Sequence, residues 1–111
     1  MSDVNNMNLL QGTLDLLILR TLKTGPLHGW AISERIQQIS QDVLQVNQGS
    51  LYPALHRLER KGAIAADWAT SELGRRARFY RLTAEGKRQL DLESESWHAL
   101  TVAIGRVMKL A

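Results

Sequence analysis

The sequence predicts a mainly α-helical fold with one β-hairpin, the winged helix-turn-helix. Three observations support this fold class: three short segments of helical periodicity fill the first half of the chain, a segment of alternating periodicity follows, and a long helical segment comes last. Few common folds place a hairpin directly after three helices. We therefore divide the 111 residues into a flexible arm over 1–8, a winged-helix domain over 9–83 and a C-terminal helix over 84–111.

The composition excludes several classes of protein. With 44% hydrophobic and 23% charged residues, the chain is ordinary for a globular protein. It has no cysteine, which excludes disulfides and thiolate zinc sites, and no apolar run near the roughly 20 residues that span a bilayer. The polar residues 1–8 do not resemble a signal peptide. We expect a cytoplasmic protein without a cofactor, a metal or a membrane partner.

The first two helices are predicted from apolar residues that lie three and four positions apart. Residues 11–23 carry one such stripe, and Gly25 followed by Pro26 ends the helix. Residues 28–39 carry a second stripe, and residues 40–45 then form a polar connection. The residues of the two stripes are Leu14, Leu17, Ile18, Thr21 and Leu22 in the first helix and Ile32, Ile36 and Ile39 in the second.

The third helix has the best-marked ends. Asn47 is an N-cap residue, and Val46 and Leu51 have the spacing of a hydrophobic staple. Gly62 ends the helix at its C′ position. Pro53 allows two interpretations: the helix begins well before it and bends there, or it begins near the residue that precedes it. The predicted buried stripe consists of Leu51, Leu55 and Leu58.

After the third helix, the periodicity changes to the alternation that is typical of β-strands. Residues 64–69 form a first strand and residues 76–82 a second one, and the turn between them contains Gly74. Thr83 then caps the last helix, and Glu85 is favourably placed in its first turn.

The last helix, which runs to about Lys109, carries a short heptad pattern that predicts dimerisation. Leu90, Trp97 and Ile104 lie seven residues apart and form one position of an apolar seam along the helix. Leu100 and Val107 form the second position, which is interrupted at Glu93. We expect a homodimer whose interface contains this seam and two leucines of the first helix: Leu14, Leu17, Leu90, Trp97, Leu100, Ile104 and Val107.

Positive charge is concentrated in one part of the chain. Residues 57–88 contain nine basic and four acidic residues, whereas the rest contains five basic and seven acidic ones. A local excess of five positive charges suits a polyanion such as nucleic acid, because neutralised phosphates release counterions. The simpler interpretation is a solvated basic face.

The third helix has a polar face suited to the major groove of double-stranded DNA. Gln48 carries the donor and acceptor that pair with adenine, or it is simply solvated. Ser50 and Tyr52 lie near a helix N-terminus and can donate to phosphates, although Tyr52 also suits packing. His56 is a contact or a solvated side chain, and Lys61 is a contact or a partner of the helix dipole. The predicted contacts of this helix are Gln48, Ser50, Tyr52, His56, Arg57 and Lys61.

The hairpin and the start of the second helix add further candidates. Arg75 and Arg76 lie at the hairpin tip, and Arg78 lies on the returning strand. Arginines there can enter an A·T-rich minor groove or bind phosphates, or they remain solvated. His28 and Gly29 open the second helix, where backbone amides can hold a phosphate.

Three stretches resemble the PadR family of bacterial regulators: LHGWAI at residues 27–32, GSLYPALHRLE at 49–59 and GRRARFYRLT at 74–83. The resemblance extends over about residues 9–108, and the motifs are specific in combination. It implies a sequence-specific DNA-binding transcriptional regulator, usually a repressor, of the smaller branch that dimerises through a single C-terminal helix. A two-fold dimer presents its recognition helices about 34 Å apart, so we expect a pseudo-palindromic operator.

Trp97 has two interpretations. The first is packing in the dimer seam beside Leu90 and Ile104. The second comes from the resemblance, because in drug-responsive members a tryptophan on the C-terminal helix lines a pore between the subunits and stacks flat aromatic compounds. The resemblance thus implies a small aromatic effector at Trp97, whereas Trp68 is expected to pack on the hairpin.

An enzyme is not expected from this sequence. His28, His56 and His98 are scattered, and neither a phosphate-binding glycine loop nor a metal-ligand spacing occurs. Two alternatives to a DNA-binding regulator are a winged-helix module that binds other proteins and a ligand-binding dimer with no direct role on DNA. The basic region over residues 57–88 favours DNA over both alternatives.

Overall fold

The computed structural model describes residues 11–110, so the flexible arm predicted over residues 1–8 lies outside the described part of the chain. The predicted order of three helices, a hairpin and a long helix is confirmed, and a two-residue strand is added before the second helix. The elements are α1 (Gln11–Leu22), β1 (Leu27–His28), α2 (Gly29–Ile39), α3 (Gln48–Arg60), β2 (Ile64–Thr70), β3 (Arg76–Leu82) and α4 (Ala84–Leu110).

The three strands form one antiparallel sheet in the order β1-β3-β2. In the hairpin, Ile64 pairs with Leu82 at the base and Thr70 with Arg76 near the tip. Gly74 closes the turn with a φ of 77°, a left-handed conformation that favours glycine. β1 pairs with the other edge of β3, where Leu27 lies opposite Tyr80. This strand was not predicted because two residues are too few to show a periodicity.

The core lies between the first three helices and the base of the hairpin. Leu51, Leu55 and Leu58 are buried, as the sequence predicted, and they meet Ile18 and Ile32 of the first two helices. Burying each large aliphatic side chain contributes about 1.5–3 kcal/mol. The prediction for Ile39 is wrong: it is exposed, because α2 has passed the edge of the core at its last residue.

Local hydrogen bonds define where the helices begin. The Asn47 side chain accepts from the backbone N–H of Ser50 at 2.9 Å, which confirms the predicted cap of α3. The Thr83 hydroxyl accepts from the Gly86 N–H at 3.0 Å and so caps α4 as predicted. Because α3 starts at Gln48 and includes Pro53, the helix begins well before the proline.

The joint between the hairpin and α4 is tightly packed. The backbone N–H of Thr83 donates to the carbonyl of Ala63 at 3.1 Å. A Cβ built on Gly86 would overlap the same carbonyl oxygen and crowd the side chain of Leu82. Only glycine therefore allows the first turn of α4 to lie against the start of β2.

The long helix α4 is anchored at one end and exposed at the other. Leu90 is only 2% exposed and belongs to the core, whereas Trp97, Leu100, Ile104 and Val107 are all exposed. At about 1.5 Å per residue, a helix of 27 residues is about 40 Å long. None of the helices in the described part of the chain has the length and hydropathy that a membrane span requires.

Two residues of the predicted dimer interface are placed elsewhere by the structure. Leu14, which is 4% exposed, and Leu90 both lie in the core of the single chain. The prediction is therefore wrong for these two leucines, because the chain buries them by itself and leaves no side-chain area for a partner. Leu17 is partly buried and packs against the same core.

Candidate nucleic-acid interface

The outer face of α3 presents the polar side chains that the sequence singled out. Gln48, Ser50, Tyr52 and His56 are exposed, while the opposite face of the helix is buried in the core. Pro53 is also exposed. An amphipathic helix held in this way can present its polar face to a groove of DNA.

Arg57 does not belong to this outer face. Its Nη2 lies 3.0 Å from Oδ1 of Asp15 on α1, and the Asp15 side chain is only 6% exposed. The Arg57 Nε atom is buried and has no hydrogen-bond partner. The charge of Arg57 is therefore matched inside the protein, where the ion pair links α1 to α3, and its contact with DNA stays a prediction.

Arg78 links the hairpin to α3. Its Nη2 donates to Oε2 of Glu59 at 2.8 Å, and its guanidinium lies 5.8 Å from the ring centroid of Tyr80. The sequence did not predict this link, because Glu59 carried no local pattern that would single it out. The Arg78 side chain remains about one-third exposed, so its contact with DNA stays a prediction.

Tyr80 lies at the centre of this link and is buried. Burial raises the pKa of its hydroxyl above the ordinary value of 10.0, since the charged form is disfavoured away from water. The nearby Arg78 acts in the opposite direction, while Glu59 and Tyr52 add to the rise of this pKa. Tyr80 is thus a neutral packing residue between the two elements.

Arg75 and Arg76 at the hairpin tip are exposed, as predicted. In the part of the chain that the structure describes, neither forms an ion pair with a carboxylate. The guanidinium of Arg76 lies over the indole of Trp68, 5.5 Å from the ring centroid. Trp68 itself is 60% exposed, so the hairpin leaves more than half of its surface uncovered.

Ion pairing reduces the basic region to a smaller set of free charges. Of the nine basic residues in 57–88, four pair with carboxylates: Arg57, Arg78, Arg81 and Arg88. Among the described residues, the five that remain without such a partner are Arg60, Lys61, Arg75, Arg76 and Lys87. They lie at the end of α3, at the hairpin tip and in the first turn of α4, so the unpaired positive charge is divided among these three places.

His28 and Gly29 lie beside α3 at the start of α2, and their contact with a phosphate stays a prediction. The Nδ1 atom of His28 accepts from the N–H of Ala31 at 3.3 Å, so this side chain caps α2. A Cβ on Gly29 would lie 2.8 Å from the hydroxyl of Tyr52. Tyr52 therefore packs against the start of α2 with its hydroxyl end and remains partly exposed, so the packing interpretation holds and the phosphate contact stays a prediction.

The exposed end of α4 presents the remaining residues of the predicted dimer seam. Trp97, Leu100, Ile104 and Val107 are each about half exposed or more and follow one another at intervals of three and four. Residues at these intervals share one face of a helix. Val102 is also exposed but lies on the opposite face, so the apolar character is concentrated on the seam side.

Within residues 11–110, no three or more histidine, aspartate or glutamate side chains are grouped as metal ligands. The geometry provides an exposed polar face on α3, two exposed arginines at the hairpin tip without a carboxylate partner among the described residues, and an exposed apolar stripe on α4.

Comparison with known proteins gives this arrangement a family context. The sequence profile of the Transcriptional regulator PadR-like family matches residues 18–92. An uncharacterized protein of Lysinibacillus sphaericus is 30% identical over 90 residues, which are 81% of this chain and 83% of that protein.

Solved structures agree in fold. A transcriptional regulator from Clostridium thermocellum superposes with a TM-score of 0.78 at 29% identity and covers 86% of this chain and 93% of its own. A PadR family transcription regulator from Clostridium difficile gives a TM-score of 0.75 at 27% identity, with coverage of 86% and 97%.

Proposed function

Because the chain belongs to the PadR-like family of transcriptional regulators, we propose that it is a homodimeric repressor that binds a pseudo-palindromic operator in double-stranded DNA. Members of this family are DNA-binding regulators rather than enzymes. The observation that carries the proposal is the exposed pair Arg75 and Arg76, which has no carboxylate partner among the described residues and lies at the tip of a hairpin that Arg78 links to α3. A groove-reading helix beside a basic wing is the arrangement that double-stranded DNA requires.

In the proposed complex, α3 and the hairpin contact different parts of the DNA. The outer face of α3 enters the major groove, where Gln48 pairs with an adenine and His56 contacts a neighbouring base. Ser50 and Tyr52 donate to phosphates and so set the register of the helix. Arg75 and Arg76 bind phosphates or enter the minor groove beside it.

The second copy of the chain covers the apolar stripe of α4. Four side chains that are exposed in the single chain, including Trp97 and Ile104, would otherwise leave an apolar face in water. Dimerisation is typical of the family. A two-fold pairing would place the two α3 helices about one DNA turn, roughly 34 Å, apart.

Regulation follows from the same interface. Trp97 is 48% exposed within the stripe, so an aromatic compound bound against its indole would alter how the two copies pack. A compound that prefers a dimer with the wrong helix spacing weakens the binding of the operator. By linkage, the operator weakens the binding of that compound by the same factor. A small aromatic effector would thus relieve repression.

The direct test is fluorescence anisotropy of labelled DNA from the region upstream of this protein's own gene, titrated at several salt concentrations. Wild type is expected to bind with a steep salt slope. Arg75→Ala/Arg76→Ala should lower that slope by about 2, because each lost phosphate contact releases about one counterion fewer. Removing two charges that are already paired, with Arg81→Ala/Arg88→Ala, is the matched control and should change the slope far less.

Two outcomes would contradict parts of the proposal. If neither the upstream DNA nor random duplex binds at low salt, the domain is a protein-interaction module. The second outcome concerns the effector and uses 1-aminoanthracene, a flat aromatic probe. If DNA binds but the probe neither quenches the fluorescence of Trp97 nor changes the anisotropy of the DNA complex, the repressor proposal stands and the proposal of a flat aromatic effector is wrong.

A further inference from the structure

The wing exposes a tryptophan that the core does not use. Trp68 on β2 is 60% exposed, although a tryptophan contributes most to stability when it is buried. In the hairpin, Trp68 lies opposite Arg78 and Thr70 lies opposite Arg76. Residues that are directly paired in an antiparallel ladder share one face of the sheet. Trp68, Arg76 and Arg78 therefore lie on the same face of the hairpin.

This face is continuous with the side that meets the recognition helix. At the base of the hairpin it carries Ile64 and Tyr80, both buried. One step further out, Arg78 reaches Glu59 on α3. Trp68 and Arg76 extend the same face beyond the core toward the tip, on the side where α3 presents its polar surface.

The two arginines on this face are held by different chemistry. Arg78 is oriented by the carboxylate of Glu59, which also neutralises its charge. Arg76 lies over the indole of Trp68, 5.5 Å from the ring centroid, and has no carboxylate partner among the described residues. A neutral ring restricts the rotamers of a guanidinium while leaving its full charge and its N–H donors for another ligand.

We propose that Trp68 is a positioning residue for DNA binding: its indole holds the Arg76 guanidinium in place at the wing tip without neutralising it. This inference rests on the proposed function, since the ligand of Arg76 is the DNA. It assigns a role to the exposed Trp68 that packing does not explain. It also distinguishes Arg76 from Arg75, which lies at the same tip with the same charge but over no aromatic ring of residues 11–110.

The first experiment is a double-mutant cycle on DNA affinity, measured by anisotropy on the upstream DNA at one salt concentration. We expect Trp68→Ala to weaken binding by about 3- to 10-fold, the size of a partly lost charged contact. Trp68→Ala should add little to Arg76→Ala, because the tryptophan acts through that arginine. Combined with Arg75→Ala, the two effects should multiply. Trp68→Phe keeps a ring and should restore most of the affinity.

The second measurement needs no DNA. In the free protein, the Arg76 Nε–H resonance in a ¹⁵N correlation spectrum is expected to be shifted by the ring current of Trp68. Trp68→Ala should remove that shift while Trp68→Phe keeps part of it, and coincident thermal melts would show that all variants fold. A ring-current shift that is absent in wild type would overturn the inference.

The outcomes distinguish this inference from the proposed function. If wild type binds DNA but Trp68→Ala binds equally well, or if its effect multiplies with Arg76→Ala as it does with Arg75→Ala, the positioning role is wrong and the DNA-binding function stands. If wild type binds no DNA, both fail, whatever the spectrum of Arg76 shows.

Discussion

At the scale of single residues, the arginines of this chain differ in what their guanidinium groups contact. Arg57 meets a buried carboxylate, Arg78 meets a half-buried one, and Arg76 meets an aromatic ring. Proteins tolerate a buried charge only when it is paired. The same residue type is therefore structural in the first case and available to a polyanion in the last.

Asp15→Asn tests the structural arginine. The change leaves the Arg57 guanidinium partly buried without a counter-charge, so we expect the free energy of unfolding to fall by about 2 kcal/mol, less than for a fully buried pair. Urea denaturation measures it. Asp67→Asn breaks the exposed pair with Arg81 and should cost well under about 1 kcal/mol. Equal losses of unfolding free energy in the two variants would contradict the role of the Arg57–Asp15 ion pair in holding α1 against α3.

At the scale of elements, the joint between the hairpin and α4 determines the direction in which α4 leaves the domain. Thr83 bonds to the carbonyls of Gly62 and Ala63, and Gly86 lies directly against the latter. Since Leu90 anchors the next turns in the core, the exposed stripe of α4 emerges at a defined angle. The spacing of two recognition helices in a dimer would depend on this joint.

Gly86→Ala tests the joint. The new Cβ overlaps a backbone carbonyl, which cannot move aside as a flexible side chain can, so we expect a loss of about 3 kcal/mol in the free energy of unfolding. Gly105→Ala is the matched control on the same helix. Nothing lies within 4 Å of its Cβ, and alanine should stabilise the helix by about 0.5–1 kcal/mol. Thermal unfolding that ranks the two variants in the reverse order would show that the joint is loose.

At the scale of the whole molecule, the second half of α4 exposes its apolar stripe, and within residues 11–110 nothing buries the four side chains of that stripe. The described chain is elongated, with extents of 53 × 32 × 21 Å. A helix with an exposed apolar stripe is stable in water when a second surface covers the stripe. The proposed dimer provides this surface and presents both recognition helices to one face of DNA.

Ile104→Glu tests the dimer. A charge in the middle of the seam should shift sedimentation at micromolar concentration from dimer toward monomer and weaken operator binding by at least about 10-fold. Val102→Glu places the same charge on the opposite face of the helix, where Val102 is also exposed, and should leave both quantities near wild type. If Val102→Glu dissociates the dimer and Ile104→Glu does not, the seam lies on the other face.

What the sequence alone determined is the order of the elements and most of their ends. Helical and strand periodicities, and caps such as Asn47 with Ser50 or Thr83 with Gly86, depend on residues three or four positions apart, so a local pattern shows them. The outward polar face of α3 followed from the same periodicity. The strand β1 was not predicted, because two residues are too few to show a periodicity.

Only the tertiary structure decided which charged and apolar residues are free to act. Asp15 lies 42 positions from Arg57, and Glu59 lies 19 positions from Arg78. Leu90 has the spacing of a dimer seam, yet α1 covers it within the same chain. A local sequence pattern shows on which face of a helix or strand a residue lies. Which residue it contacts depends on how elements that are distant in the sequence pack together, and that packing is a property of the whole fold.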